Sequence, residues 1–318
     1  MVIDAHLHIG LNGWTEKRLL NYLDDQGIGK AWVLTWDEMD PAVPSYYLPL
    51  DIEAVRKAYR QHPDRIVPFY APDPARNDWK DRLNARLDEG FAGCGELKVA
   101  YRWNDPRVTP LLEFLDANRL PLIFHMEQGR RFFIPRTERG SDWLFKRLIN
   151  ERFNGKAARM IGNLEQKTGF LRHYLEKRMV DFPGYLMDLE LLGEAIKSHP
   201  GITFISHGPH IWNHFSVPEK PYLFIQKGKV NGEGVLWKLL DEHENLFCDI
   251  SGFTCFTALN RDLDFSRTFL ERYHRKILFG TDNWELGLRD FLDRLSLDQA
   301  TMEHIMYKNA AGITGNYS

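Results

Sequence analysis

Short apolar runs rich in β-branched and aromatic residues recur along the chain: Val2–His8, Ala31–Trp36, Ile66–Ala71, Gly95–Val99, Leu120–His125, Ile202–His207, Leu246–Ile250 and Ile277–Thr281. Runs of this length and make-up predict strands. Between them the spacing of apolar positions changes to a helical period. In Asp51–His62, for instance, Ile52, Val55 and Tyr59 fall on one face and Asp51 stands where a helix cap is wanted. Further helices are predicted at Thr15–Gln26, Arg107–Asn118, Asp188–Ser198, Gly234–Glu244 and Asp262–His274. Strand and helix alternate throughout, as in a closed α/β barrel of the (β/α)8 TIM type or in a doubly wound open sheet. The number of strands leans toward the barrel.

One connection breaks the rhythm. The gap between Leu120–His125 and Ile202–His207 is far longer than a crossover helix needs. Residues 126–190 are therefore expected to form a helical insertion between the fifth and sixth strands, folded over the barrel mouth as a lid. Residues 130–178 carry thirteen Lys or Arg against five Asp or Glu, among them Arg130, Arg131 and Arg136. A surplus of that sign beside a cleft favours an anionic substrate, although a solvated or subunit-contacting helical pair has the same composition.

At 318 residues the chain is expected to form a single catalytic domain. A net charge of −3, from 41 basic and 44 acidic residues, gives no reason to expect nucleic acid or an anionic membrane as partner. A small-molecule substrate is expected instead, with a homo-oligomer left open. Cys94, Cys248 and Cys255 form no Cys-x-x-Cys pair and no even set, which argues against a disulfide framework and a thiolate metal site. With no basic leader segment and no apolar stretch of membrane-spanning length, a cytoplasmic home is expected.

The strongest chemical signal is Asp4-Ala5-His6-Leu7-His8, because strand alternation puts both imidazoles on one face. His125 ends the fifth predicted strand, His207 the sixth, and Asp282 follows the eighth. Each alone is unremarkable where a strand leaves the core. Four histidines and an aspartate at strand C-termini meet at one point only if the sheet closes, so barrel and metal support each other. Three imidazoles and a carboxylate leave open positions on a Zn2+-like or Mn2+-like ion.

Together with the Leu278-Phe279-Gly280-Thr281-Asp282 strand and the closing Asn309-Ala310, these elements resemble the amidohydrolase superfamily. The similarity is to its amidohydrolase-2 branch of TIM-barrel hydrolases and non-oxidative decarboxylases. The resemblance implies that His6, His8, His125 and Asp282 bind a divalent metal, Zn2+ first and Mn2+ second. It implies that His207 is either a substrate-facing acid or base, or a ligand to a second ion. Asp282 doubles as the proton carrier. The fourth strand, Gly95-Glu96-Leu97-Lys98-Val99, leaves three readings open. Glu96 bridges two ions, pairs with Lys98 inside the barrel, or contacts substrate.

The substrate itself is less legible. Trp14, Trp36, Trp103, Trp212 and Trp284 each follow a predicted strand, which places them around the mouth as pocket walls or as loop packing. Trp36, Trp103 and Trp212 are the substrate-binding candidates among them, with Arg102 as an anion contact. His210 and His214 read as ordinary loop residues. No phosphate-binding loop or Gly-x-Ser-x-Gly elbow occurs, and Gly27-Ile28-Gly29 precedes a strand instead of following one. The expected activity is hydrolysis of a small carboxylate-bearing ester, lactone or amide, with decarboxylation on the same metal as the alternative. A catalytically silent barrel is disfavoured, because none of the expected ligand positions is empty.

Overall fold

The computed structural model describes residues 1–37, 50–133, 140, 144, 179–219 and 225–315. Its strands are β1 (Ile3–Leu7), β2 (Lys30–Trp36), β3 (Ile66–Ala71), β4 (Cys94–Leu97), β5 (Pro121–His125), β6 (Glu127–Phe133), β7 (Met179–Tyr185), β8 (Thr203–His207), β9 (Leu246–Asp249) and β10 (Ile277–Leu278). Two parallel arcs form, β1-β2-β3 and β10-β9-β8-β5-β4. Backbone bonds close both seams. Ala92 N donates to Pro68 O at 2.9 Å and Tyr70 N to Gly93 O at 3.2 Å, while Ala5 N donates to Phe279 O at 2.8 Å and Asp282 N to His6 O at 2.7 Å. The eight parallel strands are thus a (β/α)8 barrel and not an open sheet.

Alternation within the strands separates two cores. Trp32, Leu34, Phe69, Ile123, Ile205 and Leu278 form an inner cluster. Ile123 and Ile205 sit two residues before His125 and His207 and so share their inward face. The barrel is plugged with apolar side chains below and turns polar only at its C-terminal rim. The outer cluster, between strands and helices, includes Phe124 and Phe204. Helix starts are fixed by side-chain caps: Thr15 accepts from Arg18 N, Asp51 from Glu53 N, and Asp188 from Glu190 N and Leu191 N. The helix Trp79–Asp88 escaped the sequence reading. Its weak periodicity leaves Leu83 as its one buried residue.

The insertion begins and ends differently from expectation. Glu127–Phe133 and Met179–Tyr185 are an antiparallel pair with Glu127 opposite Tyr185 and Phe133 opposite Met179, where a helical excursion over 126–190 was expected. Phe132, Phe133, Val180, Phe182 and Tyr185 favour a pleated ribbon. Glycine permits the close approach: at Gly184, with φ +91°, a Cβ would lie 2.6 Å from Glu127 O. The remainder of the insertion, including Arg136, lies outside the described residues, as do the side chains of Arg130 and Arg131. Among the described residues no helix is long and apolar enough to cross a membrane.

Candidate metal centre

The barrel rim gathers the polar residues that the sequence scatters. His6 lies in β1, His8 just past its end, Glu96 in β4, His125 and His207 at the last positions of β5 and β8, and Asp282 in the turn after β10. All six are buried or nearly so. His6 Nε2 is 3.1 Å from His8 Nε2. Glu96 Oε2 lies 3.5 Å from the first and 3.4 Å from the second, and Asp282 Oδ1 is 3.2 Å from His8 Nε2. The other Glu96 oxygen faces the opposite pair, 2.7 Å from His125 Nδ1 and 3.7 Å from His207 Nε2. Asp282 Oδ2 reaches toward His207 Nε2 at 3.8 Å. Glu96 therefore stands between two histidine pairs with one oxygen toward each.

Each imidazole has its remaining nitrogen held by an acceptor. His8 Nδ1 is 2.9 Å from Leu34 O, and His125 Nε2 is 3.2 Å from Glu127 Oε2. Asp249, at the end of β9, accepts from His6 Nδ1 at 2.8 Å and from His207 Nδ1 at 2.9 Å. For a ring in its neutral form, each of these bonds selects the tautomer whose lone pair faces the cluster, the form a metal ion binds. Four ring nitrogens and two carboxylates converge in a buried space, with one lysine ammonium bound to Glu96, as a donor set that a divalent cation suits. The donor set fits a divalent metal of the zinc or manganese kind.

Asp249, Ser251 and Glu127 were missed by sequence reasoning. Their only trace was position: Asp249 lies next to the end of the predicted strand Leu246–Ile250, and Glu127 repeats the two-residue step from His125. Ser251 Oγ donates to Asp249 Oδ1 at 2.5 Å and Ser251 N to the same oxygen at 3.1 Å. Gly252 completes this corner, since its φ is +77° and a Cβ there would come within 3.1 Å of Asp282 Oδ2. Asn283 pins the end of β1, accepting from His8 N at 2.8 Å and donating to His8 O at 2.9 Å. Its own left-handed φ, +59°, and that of Asp282, +54°, turn the chain back over the rim.

The charges respond to one another. Burial opposes ionisation of Glu96, but Lys98, His6 and His125 outweigh it and hold the carboxyl well below the usual range. Burial likewise works against the Asp249 anion, and His207 and His6 reverse it, keeping Asp249 ionised. For His6, burial favours the neutral ring, yet Asp249 and Glu96 raise its pKa well above the ordinary value. Burial dominates at His8 and lowers it. Asp4 sits under the cluster, bound by Thr281 Oγ1 at 2.6 Å, and burial lifts its carboxyl to about 7.

The tryptophans separate into groups. Trp36 stands at the centre, its ring 5.2 Å from that of His8 and 3.6 Å from Lys98 Nζ. Trp103 packs on Phe124 and Phe204, and Trp212 on Phe215 and Phe269. Both are corrected from mouth-lining to core positions. Trp103 rests on side chains one residue out of step with His125 and three out of step with His207, which face the outer helices. Trp14 is buried against Tyr22 and Arg18. Trp284 is exposed beside Phe253, and Arg102 is exposed in the turn after β4.

His210 and His214 lie on the short turn of helix after β8, with ring centroids 5.1 Å apart. Their Nδ1 atoms are buried and without hydrogen-bond partners. Burial, reinforced by the neighbouring His214, lowers His210 to about 4. A base whose folded pKa is depressed costs nothing above its unfolded value near 6.5. Stability falls as pH drops from there toward 4, because the unfolded ring takes a proton that the folded one refuses. The shift corresponds to roughly 3 kcal/mol. His210→Leu should therefore flatten the loss of stability between pH 7 and pH 4.5 in urea titrations of metal-free protein; an unchanged slope would contradict this assignment.

A family model described as amidohydrolase matches residues 3–313. The chain belongs to the amidohydrolase family. No curated protein matches it. Among solved structures, a probable 2-pyrone-4,6-dicarboxylic acid hydrolase from Acinetobacter baumannii with citric acid bound is 12% identical, with 99% of each chain covered and a TM-score of 0.54. A zinc-bound amidohydrolase from Burkholderia multivorans is also 12% identical over 99% of each chain, with a TM-score of 0.53. A 5-carboxyvanillate decarboxylase from Sphingomonas paucimobilis is 11% identical, covering 99% of this chain and 98% of its own, with a TM-score of 0.52. At these identities the likeness is one of fold. With the family established, the protein is an amidohydrolase-type enzyme, and its rim cluster has a donor set that could hold a divalent metal.

Proposed function

We propose that this amidohydrolase is a metal-dependent hydrolase that attacks a small carboxylate-bearing ester, lactone or amide with water. The observation that carries the reading is the convergence of four imidazoles, each held through its outer nitrogen, with Glu96 and Asp282 at the barrel rim. His6, His8, Glu96 and Asp282 would hold the first metal, most naturally Zn2+. Glu96, with one oxygen toward each histidine pair, favours a two-ion site in which His125 and His207 serve the second position. A divalent ion there supplies Lewis acidity, lowering the pKa of water to about 7 and polarising a carbonyl.

The chain's own groups do the rest. Asp282 lies among three histidine Nε2 atoms and ends in a carboxylate able to take a proton from water and return it to a leaving group. Asp249 holds His207 with Nε2 inward, where it can accept or donate at the reacting atoms. The apolar inner core below the cluster closes the barrel floor against bulk water. A carboxylate on the substrate is supported by the basic excess of residues 130–178, and by the relative named for a dicarboxylic acid and holding citric acid.

The test is a substrate panel run in 18O-labelled water with zinc-loaded enzyme. One labelled oxygen in a carboxylate product is expected. Release of CO2 with no label in the organic product would overturn hydrolysis and assign decarboxylation.

A further inference from the structure

Lys98 is the one lysine or arginine at the heart of this cluster among the described residues. Its Nζ donates to Glu96 Oε2 at 2.5 Å, the same oxygen that lies 3.4 and 3.5 Å from the inward nitrogens of His8 and His6. The ammonium is almost wholly buried and lies 3.6 Å above the ring of Trp36, which itself packs edge-on against His8. Strand alternation places Lys98 on the inward face with Glu96 and one step nearer the mouth. A substrate entering from the mouth to reach the histidines passes this layer.

We propose that Lys98 is the specificity residue of the site: its ammonium binds a carboxylate carried by the substrate a few bonds from the group on the metal. The proposal rests on the hydrolase reading above and adds the residue that binds the substrate's carboxylate and the place of that carboxylate beside the reacting group. A divalent ion at the His6–His8 pair and the Lys98 ammonium draw on one carboxylate oxygen, so metal binding weakens the hold of Glu96 on the lysine. A second carboxylate beside the metal restores it. The geometry already shows Lys98 gripping one carboxylate oxygen. Trp36 fixes the ammonium in place, so little side-chain freedom is lost when a ligand arrives. The short distances from Oε2 to Nζ and to both imidazoles set the reach: the substrate's carboxylate and its reacting carbonyl must be near neighbours.

The experiment measures binding and not turnover. Zinc-loaded protein is titrated calorimetrically with acetohydroxamate, which ligates zinc and carries no further charge, and with malonomonohydroxamate, which adds a carboxylate. The wild-type protein should prefer the second by about ten- to hundred-fold, the worth of one charge-assisted hydrogen bond. Lys98→Met should abolish that preference while keeping its zinc by plasma emission, and Lys98→Arg should retain part of it. A preference that survives Lys98→Met would overturn the proposal. So would loss of zinc from that variant, since the lysine would then be a support for Glu96. Equal affinities for the two probes in the wild type would overturn it without any variant, which covers the case of a misfolded mutant. Failure of both probes to bind zinc-loaded wild type would point instead to failure of the underlying hydrolase reading.

Discussion

Protein carrying His6→Ala and His8→Ala together is expected to lose the metal of the His6–His8 position, so that its metal content falls, and to be without activity. The two Nε2 atoms face one another at 3.1 Å, and each is oriented by its own buried acceptor, Asp249 for His6 and Leu34 O for His8. Once both rings are gone, no described side chain stands in their place, and water cannot fill two ligand positions without loss of affinity. Because ligand bonds cooperate, removing two should cost far more than the tenfold to hundredfold typical of losing an orienting partner. The check is metal content by plasma emission on protein reconstituted with zinc and passed over a desalting column. Circular dichroism should show the barrel intact, since the apolar floor does not depend on these rings. Undiminished metal in the double variant would place the metal elsewhere.

Asp282→Asn should lower kcat by three orders of magnitude or more, about 4 kcal/mol of barrier. An amide keeps the size of the carboxylate and loses both its charge and its proton affinity. Burial works against this anion, and His8, His6 and His207 more than offset it, so Asp282 stays ionised at neutral pH. The fold should tolerate the change, because the turn that carries Asp282 is held by its backbone bond to His6 and by Asn283 against His8. A variant that keeps its zinc and loses turnover would assign Asp282 to proton transfer. Full activity in the variant would remove it from the mechanism.

Much of this was legible in the sequence, for identifiable reasons. The apolar runs named all eight barrel strands because a parallel strand is buried on both faces and reads as continuous hydrophobicity. His6 and His8 were readable from spacing, and His125 and His207 from their places at strand ends. Asp249 was not, since its place inside the predicted strand Leu246–Ile250 carries no sign of the two histidines it holds until the barrel brings β8 and β1 within its reach. The β6 and β7 pair was hidden by the basic composition of Glu127–Phe133, which carries no alternation to betray a strand. Tryptophan position after a strand proved a poor guide to function: Trp36 reaches the cluster, whereas Trp103 and Trp212 turn to the outer face. Glu96 and Lys98 were seen to share a face, but only the distances show that one glutamate serves both the lysine and the two histidine pairs.

The central claim is that the rim cluster is a divalent-metal centre. Anomalous-scattering maps from crystals of zinc-loaded protein, recorded above and below the zinc edge, test it most directly. The account predicts a strong peak among His6, His8, Glu96 and Asp282 and a second on the other side of Glu96, beside His125 and His207. A map with no peak inside this cluster would contradict it.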